Sequence, residues 1–268
     1  MTKKGKRSII KYCQQCQQSE LAPVGYGTQR LDEDLSSVFG DYPIIRVDRD
    51  ATRRKNSMQQ LLDEIHQNPA AILLGTQMLA KGHHFPHLSL VVMLDVDGGL
   101  FSMDFRAEER LAQLICQVAG RSGRGQHLGE VVIQTHHPEH PMYQALIHGK
   151  YQDYVATLLQ QRADVSLPPM HFMALLNAES KRYEQSESFL NSVKQNLMEQ
   201  SIPDLSILGP VAAPLSKRRG YFRAQLLIKS PRRGGLHQAI RPVVRDMNNV
   251  AGARQVRWSV DIDPMDLL

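Results

Sequence analysis

The stretch Gln117-Val-Ala-Gly-Arg-Ser-Gly-Arg124 decides the interpretation of the first half of this chain. It closes the segment 106–118, whose apolar residues recur at helical spacing and therefore predict a helix. The two arginines stand three residues apart, between glycines whose backbone can approach a ligand closely. Guanidinium groups presented in this way suit bidentate contact with phosphate oxygens, such as those of a γ-phosphate. The alternative is a glycine-rich turn with two solvated arginines.

Short apolar runs on either side of this helix predict the strands of a parallel sheet. The runs are Tyr42–Val47, Ala71–Leu74, Leu88–Val96 and Glu130–Gln134, with a further helix predicted from Met58 to His66. Continuous apolar runs are typical of strands buried on both faces, and their alternation with helices indicates an α/β fold. Ligands of such folds bind at the carboxyl ends of the strands. We therefore expect the functional loops after Leu74, after Val96 and around Gly120.

A second phosphate-binding motif follows the predicted strand that ends at Leu74. It reads Gly75-Thr-Gln-Met-Leu-Ala-Lys-Gly-His-His-Phe-Pro86. Its glycines, the Thr76 hydroxyl and the Lys81 ammonium group suit a nucleotide or the phosphates of a nucleic-acid strand. A glycine in a strand-to-helix turn is common, so the motif gains its weight from the arginine motif that follows it.

The second half of the chain has a different order of elements. Leu167-Pro-Pro169 breaks the chain, and the segments beyond it predict the order β-α-β-β-α-β, which is the ferredoxin-like arrangement of an α+β domain. The predicted strands are 171–178, 205–208, 224–228 and 257–262, and the predicted helices are 186–200 and 236–250.

Positive charge is concentrated in this second half. Of the formal net charge of +5, none falls on residues 1–149, which carry 16 basic and 16 acidic residues. From Leu205 to Arg245 nine basic residues occur and no acidic one. Such an excess suggests a polyanionic partner, although a solvated face remains the alternative.

The basic turn Lys217-Arg-Arg-Gly-Tyr-Phe-Arg223 mixes cations with two aromatic residues. This combination suits phosphate contact together with base stacking on a single strand. We therefore predict that Lys217, Arg218, Arg219 and Arg223 bind DNA, and that Arg232 and Arg233 extend the surface. The alternative is an exposed hairpin whose aromatic side chains pack inward.

Cysteine usage and hydropathy exclude several classes of protein. The chain has three cysteines, which rules out a disulfide framework and makes the cytoplasm the expected compartment. No apolar run approaches the roughly 18 residues that cross a bilayer, and no signal-peptide pattern follows the basic first residues. Neither secretion nor membrane insertion is expected.

Possible metal ligands occur at three places. Cys13 and Cys16 have the two-residue spacing of a zinc-binding pair, but a tetrahedral site needs four ligands. The histidines form two groups, for which we expect no metal: His83, His84 and His87, and His136, His137 and His140. Asp95 is expected to be buried at a strand end, Asp97 to anchor a loop, and Cys116 to be a buried apolar side chain.

The two phosphate motifs together resemble motifs V and VI of superfamily 2 helicases. The fuller resemblance is to the primosomal protein N′ (PriA) family of bacterial replication-restart helicases, and it extends from Cys13 over nearly the whole remaining chain. The stretches that carry it include "VGYGTQRLDEDL" from Val24, "RVDRDATRRK" from Arg46, "LDVDGGLFSMDFRAEER" from Leu94, "QTHHPEHP" from Gln134, "LGPV" from Leu208 and "VDIDP" from Val260.

The resemblance implies an ATP-dependent 3′-to-5′ DNA helicase that acts on stalled forks, in primosome assembly. It implies that Gly120, Arg121 and Arg124 contact ATP and that Gln117 senses the γ-phosphate or the attacking water. It also implies that Thr76, Gln77 and Lys81 couple the nucleotide to the DNA strand. The expected partners are forked and single-stranded DNA, primosome proteins, the replicative helicase loader and single-strand-binding protein, at the nucleoid.

Three domains follow from the resemblance. Residues 1–23 are expected to be the remnant of a cysteine-rich insert that holds two zinc ions in the family, with Cys13 and Cys16 as the last cysteine pair of an incomplete site. Residues 24–165 are expected to form the second RecA-like helicase lobe, with a parallel sheet incomplete at its N-terminus and an exposed edge that lowers stability. Residues 166–268 are expected to be the ferredoxin-like C-terminal DNA-binding domain.

The chain also departs from the family. It has no Gly-x-x-x-x-Gly-Lys-Ser/Thr phosphate loop and no acidic box for magnesium. We therefore expect the other lobe of a longer protein to hold most of ATP and Mg²⁺, and the isolated chain to be inactive. Truncation of a gene, an expression fragment and a split system all remain open. The alternative function is that of a non-catalytic DNA-binding and protein-docking fragment.

Overall fold

The computed structural model describes Tyr12 and residues 16–17, 27–47, 57–68, 70–76, 85, 88–120 and 129–267. The chain divides into two compact units. The first comprises Met1–Gly98 and Leu111–His137, and the second comprises Gly99–Arg110 and Pro138–Leu268. The predicted domain boundary at residue 165 stays a prediction. Within the described residues, no helix is long and apolar enough to cross a membrane.

The first unit contains short parallel strand pairs and helices. Along the chain its described elements are helix α1 (Thr28–Val38), strand β1 (Ile44–Val47), helix α2 (Ser57–Gln67), and strands β2 (Ile72–Gly75) and β3 (Leu90–Met93). A short helix α3 (Asp97–Leu100) and helix α4 (Ala107–Ala119) span the division into units, and strand β4 (Glu130–Ile133) follows. Strand β1 pairs with β2 and strand β3 pairs with β4, both in parallel.

The two parallel pairs differ from the single, fully buried sheet that the apolar runs predict. Among the described residues the strands form two separate two-stranded sheets. Strand β2 follows the prediction in that Leu74 is buried. In β3 the burial alternates, and Leu90 and Val92 are each 50% exposed. The prediction that β3 is buried on both faces was therefore wrong. One face of the strand, which carries Leu90 and Val92, is exposed.

The second unit contains two connecting helices and a four-stranded antiparallel sheet. Helices α5 (Pro141–Ile147) and α6 (Tyr151–Asp164) come first. Strand β5 (Phe172–Ser180), helix α7 (Tyr183–Glu199), strands β6 (Ser206–Arg218) and β7 (Tyr221–Ser230), helix α8 (Arg233–Asp246) and strand β8 (Arg257–Ile262) follow. The sheet order is β6–β7–β5–β8. The predicted order of strands and helices is therefore observed.

The core of the second unit lies between α7, α8 and one face of this sheet. Phe189, Leu190, Leu226, Ile228 and Leu236 are each at most 1% exposed. Each buried side chain of this size contributes about 1.5–3 kcal/mol relative to an exposed one. This packing fixes which face of the sheet is covered by the two helices and which is not.

Strand β6 is much longer than the predicted 205–208. Pro210 and Pro214 mark the segment as a break, but β6 is an edge strand, where proline is tolerated because no ladder hydrogen bond is needed on the outer side. Register shifts between Leu208 and Val211 and between Ala212 and Lys217 accommodate the irregularity. The predicted basic turn is consequently shorter, because Lys217 and Arg218 belong to the strand.

Candidate functional site

The two phosphate motifs begin at the surface of the first unit. Thr76 directly follows β2 and is exposed, and Gln117 is exposed in the last turns of α4, with Gly120 one residue past the helix end. Arg121, Arg124, Gln77 and Lys81 lie outside the described residues, as do His83, His84 and His87. The described residues therefore place only the starting points of the two loops and offer no arrangement of ATP or magnesium ligands.

Asp97 joins the segments that follow β3 and β4. Its carboxylate accepts hydrogen bonds from the Thr135 hydroxyl (2.5 Å) and the His136 backbone N–H (2.9 Å), and it lies 2.8 Å from His136 Nδ1. The Thr135 hydroxyl, followed by the two His136 groups, lowers the pKa of Asp97 to about 2. The loop-anchoring role predicted for Asp97 is confirmed.

The histidines after β4 serve this local structure. His136 contacts Asp97, and the His140 ring accepts a hydrogen bond from Met142 N–H at 3.3 Å, capping α5. Among the described residues no group of three His, Cys, Asp or Glu side chains could hold a metal ion. Cys16 is exposed and Cys13 lies outside the described residues, so the zinc-binding pair predicted from the sequence stays a prediction.

Two further expectations about this unit are wrong. Cys116 is exposed, because its position on α4 is offset from the buried stripe of Leu111, Ala112 and Ile115. Partial crowding still raises the pKa of its thiol, by desolvation. Asp95 is also exposed, and its φ of 52° places it in the left-handed region, so it turns the chain after β3 and is not buried at the strand end.

A buried ionic cluster precedes α4 and belongs to the second unit. Asp104 is 3% exposed; its carboxylate accepts the Arg106 backbone N–H at 3.0 Å and lies 2.9 Å from Arg110 Nη1. The Phe105 ring lies 4.2 Å from the Arg106 guanidinium and 5.1 Å from that of Arg162. Arg162 also pairs with Glu109. The charged stretch "DFRAEER" could have indicated this cluster, but it entered the sequence interpretation only as part of the family resemblance.

The basic hairpin joins β6 to β7. Arg219 and Gly220 form its two-residue turn, with φ values of 50° and 80°. Positive φ at both positions is typical of the type I′ turn that matches strand twist. Arg218 is paired with Tyr221, and Lys217 with Phe222. Cross-strand partners share a face of the sheet, so these two cations project to opposite faces.

One face of this hairpin continues across the sheet. Phe222 lies on the same face as the Leu226 and Ile228 core under the helices, whereas Tyr221 and Arg223 lie on the other face. On that other face Arg223 is paired with Glu179 of β5, and Glu179 is in turn paired with Arg257 of β8. Arg257 was not predicted, because it is far from the hairpin along the chain.

Two cations contact the Tyr221 ring. The Lys181 ammonium lies 4.1 Å and the Arg257 guanidinium 4.6 Å from its centroid. Such contacts contribute about 0.5–1 kcal/mol each at exposed sites and orient the cations. Lys181 was not predicted from the sequence, and it follows the end of β5 at Ser180, so no strand alternation identifies it.

The sequence predicted that Arg232 and Arg233 extend this surface, but in the structure they lie elsewhere. Arg232 lies 3.4 Å from Asp204, and Arg233 lies 3.1 Å from Asp263 and 4.9 Å from the centre of the Phe172 ring. Phe172 is paired with Ser230, at the end of β7 opposite the hairpin turn. The length of the strand therefore separates these two arginines from the basic hairpin.

Two family models match this chain in different parts of its sequence. Residues 1–126 match the family described as helicase conserved C-terminal domain, and residues 163–265 match the primosomal protein N C-terminal domain. The chain is also 43% identical over 261 residues to the replication restart protein PriA of Haemophilus influenzae. This alignment covers 97% of the chain and 36% of that protein.

The chain is a homologue of the PriA proteins over 97% of its own length.

Two further PriA proteins extend the similarity. The PriA of Bacillus subtilis is 32% identical over 252 residues, covering 94% of this chain and 31% of that protein. The PriA of Synechocystis is 35% identical over 258 residues, covering 96% of this chain and 30% of that protein. The chain thus spans about a third of the length of the curated PriA relatives it matches.

Proposed function

We propose that this chain supplies the C-terminal part of an ATP-dependent 3′-to-5′ DNA helicase that assembles the primosome and restarts stalled forks. The observation that carries the proposal is the succession of the helicase conserved C-terminal domain and the primosomal protein N C-terminal domain in one chain. The names of its PriA relatives, which refer to replication restart, agree with it.

In this proposal the first unit is a RecA-like motor lobe and the second is a ferredoxin-like DNA-binding domain. The parallel pairs β1–β2 and β3–β4 support the first assignment. The sheet order β6–β7–β5–β8, with α7 and α8 packed on one face, supports the second. Thr76 and Gln117 stand at the surface positions from which the two phosphate loops leave β2 and α4.

The roles of the individual residues follow from the motifs. Arg121 and Arg124, with Gly120, contact ATP bound against another lobe, and Gln117 senses its γ-phosphate. Gln77 and Lys81, with Thr76, couple that state to the DNA strand. ATP and Mg²⁺ supply the driving reaction when they are bound, and the chain lacks the phosphate loop and acidic box to hold them. The isolated chain is therefore inactive as an ATPase.

The second candidate function is a DNA-binding and protein-docking fragment without catalysis. It is favoured by the share of the relatives that the chain covers, about a third of their length. Single-strand-binding protein, the helicase loader and other primosome proteins are the proposed protein partners in either case, in the cytoplasm at the nucleoid. For zinc, the proposal keeps Cys13 and Cys16 as one cysteine pair of an incomplete site, with Cys13 outside the described residues.

The test replaces the matching segment of the Haemophilus influenzae PriA with this chain and measures DNA-stimulated ATP hydrolysis. In the hybrid, Arg121→Ala and Arg124→Ala should each lower kcat about 10³-fold, as expected for arginines that stabilise the charge on the transferred phosphoryl group. DNA affinity should stay unchanged.

Arg241→Ala is the control, because Arg241 is exposed on α8 in the other unit. The proposal is contradicted if the unmodified hybrid hydrolyses no ATP, or if the two motif variants hydrolyse it as fast as the unmodified hybrid.

A further inference from the structure

The sheet face opposite α7 and α8 carries, at the end near the basic hairpin, a set of cations that come from four separate segments of the chain. We propose that this face, and not the hairpin turn alone, is the binding surface for single-stranded DNA. We name it the cationic sheet face and define it by Lys181, Arg218, Tyr221, Arg223 and Arg257. The inference rests on the proposed DNA-binding function and specifies where the strand lies.

The strand register places Arg218, Tyr221, Arg223 and Arg257 on one face, and Lys181 joins them through its contact with the Tyr221 ring. Arg218 is paired with Tyr221, and Glu179 stands between its partners Arg223 and Arg257. Because neighbouring strands are about 4.8 Å apart, the backbones of Arg223 and Arg257 are separated by about 10 Å. The face therefore presents cations across three strands, over a width comparable to a few phosphates of an extended strand.

The charge balance of the face favours an anionic ligand. Four cations surround one carboxylate, Glu179, which lies 3.8 Å from Arg257 with the Arg257 side chain 69% exposed. No described side chain forms an ion pair with Arg223 or Arg218. The next carboxylate on this face of β8, Asp261, is four residues further along, which is about 13 Å. Exposed cations held close together in this way release counterions when they bind phosphates.

The shape of the face selects the kind of nucleic acid. A shallow depression of about 260 Å³ lies between Arg223 and Arg257 and is also lined by Asn177, Glu179 and Ser259. It is smaller than the roughly 300–1,000 Å³ of pockets that enclose a small ligand. It is also recessed, whereas a reader of duplex DNA projects a helix or ribbon into a groove. A shallow cationic groove beside an aromatic ring is typical of single-strand binding.

Polar groups beside the cations suit exposed base edges. The buried Gln225 amide donates to Asn177 Oδ1 at 3.0 Å, which fixes the Asn177 side chain in the lining of the depression. Ser259 is exposed on the adjacent strand. Amide and hydroxyl groups at this position can hydrogen-bond bases that are unpaired, and a duplex would keep those edges inside its grooves.

The experiment measures binding of the whole chain to a fluorescein-labelled 20-nucleotide oligothymidine by anisotropy, between 50 and 200 mM salt. The variant is Lys181→Gln combined with Arg257→Gln, which removes two cations of the face without altering the hairpin. Affinity at 50 mM salt should fall about tenfold or more, and the slope of log K against log salt should become shallower by about 1.4.

The matched control is Arg241→Gln combined with Arg245→Gln, the same change of charge at exposed positions on α8. It should change affinity less than twofold and leave the slope unaltered. Unfolding midpoints of both variants establish that they are folded, since exposed ion pairs such as Arg257–Glu179 contribute little to stability.

Three results would overturn the inference. The first is unchanged binding by the Lys181/Arg257 variant while Lys217→Gln and Arg219→Gln weaken it, which would confine the site to the hairpin. The second is an equal loss in the control. The third is tighter binding of a duplex than of the single strand, lost in the same variant. Failure of the unmodified chain to bind any DNA would instead contradict the proposed function itself.

Discussion

Asp97 shows how one carboxylate orders two loops at the end of a parallel strand pair. Its three acceptor contacts, to Thr135 and to two groups of His136, connect the segments that follow β3 and β4. A carboxylate that accepts several hydrogen bonds favours its charged form, which explains the lowered pKa. The Asp97 carboxylate therefore has a structural role, and His136 supplies two of its contacts.

This residue should make the first unit sensitive to acid in a defined range. A lowered folded-state pKa stabilises the fold above the ordinary value of 3.8, and that contribution is lost as pH falls through about 2. The side-chain carboxyl resonance of Asp97 should therefore titrate near pH 2, well below that of an exposed aspartate.

The Asp97→Asn variant supplies the control for that titration. It should be less stable than the unmodified chain at pH 5, with a difference that shrinks between pH 4 and 2, because the unmodified carboxylate is then protonated too. A midpoint for Asp97 near 3.8, or a stability difference independent of pH, would show that these hydrogen bonds do not form.

At the scale of elements, the cluster around Asp104 fixes how α4 begins. The carboxylate is buried, caps the Arg106 N–H and pairs with Arg110 in the first turn. Burial lowers the pKa of Arg106, which the charge of Asp104 opposes. Since α4 ends at the arginine motif, its N-terminal anchor holds the helix that carries that motif.

Removal of this anchor should be costly. Asp104→Ala leaves Arg106 N–H and Arg110 without their acceptor, and should lower the free energy of unfolding by about 2–4 kcal/mol. Asp104→Asn keeps an acceptor for the backbone N–H and should cost less. Urea unfolding followed by circular dichroism measures both; an alanine variant as stable as the unmodified chain would rule out the anchoring role.

The sequence predicts elements well where periodicity and burial agree. The apolar spacing of Leu111, Leu114, Ile115 and Val118 predicts α4, and β8 is observed with the predicted bounds. Helix α1 was not predicted, although Leu31, Leu35 and Val38 recur at helical spacing; none of its residues is buried. The prolines of β6 hid an edge strand, since only the sheet order shows that its outer side needs no hydrogen bonds.

The residues of the candidate site also fall into two groups: those that a local motif identifies, and those that only the fold brings together. Local motifs identify Thr76, Gln117 and the basic hairpin, because each is contiguous in the sequence. Lys181 and Arg257 join the hairpin only through the pairing of β5 with β7 and β8, which composition cannot reveal. Cys116 and Asp95 were misplaced because apolar character and strand ends predict burial only on average.

At the scale of the whole molecule, charge and sequence motifs are divided between the two halves of the chain. The first 149 residues are neutral and hold both phosphate motifs, and the remainder carries the entire excess of positive charge. A phosphoryl-transfer site acts through a few precisely positioned side chains. Attraction of DNA depends instead on the summed electrostatic potential of many cations. If the proposed function holds, this division predicts that the second half of the chain binds DNA without nucleotide.

The salt dependence of DNA binding by the unmodified 268-residue chain tests this account most directly. With three to five phosphate contacts from the second unit, log K for a single strand should fall linearly with log salt, with a slope between about −2 and −3.5 in the absence of ATP. A slope near zero, or no binding at 50 mM salt, would contradict the assignment of the second unit as a DNA-binding domain.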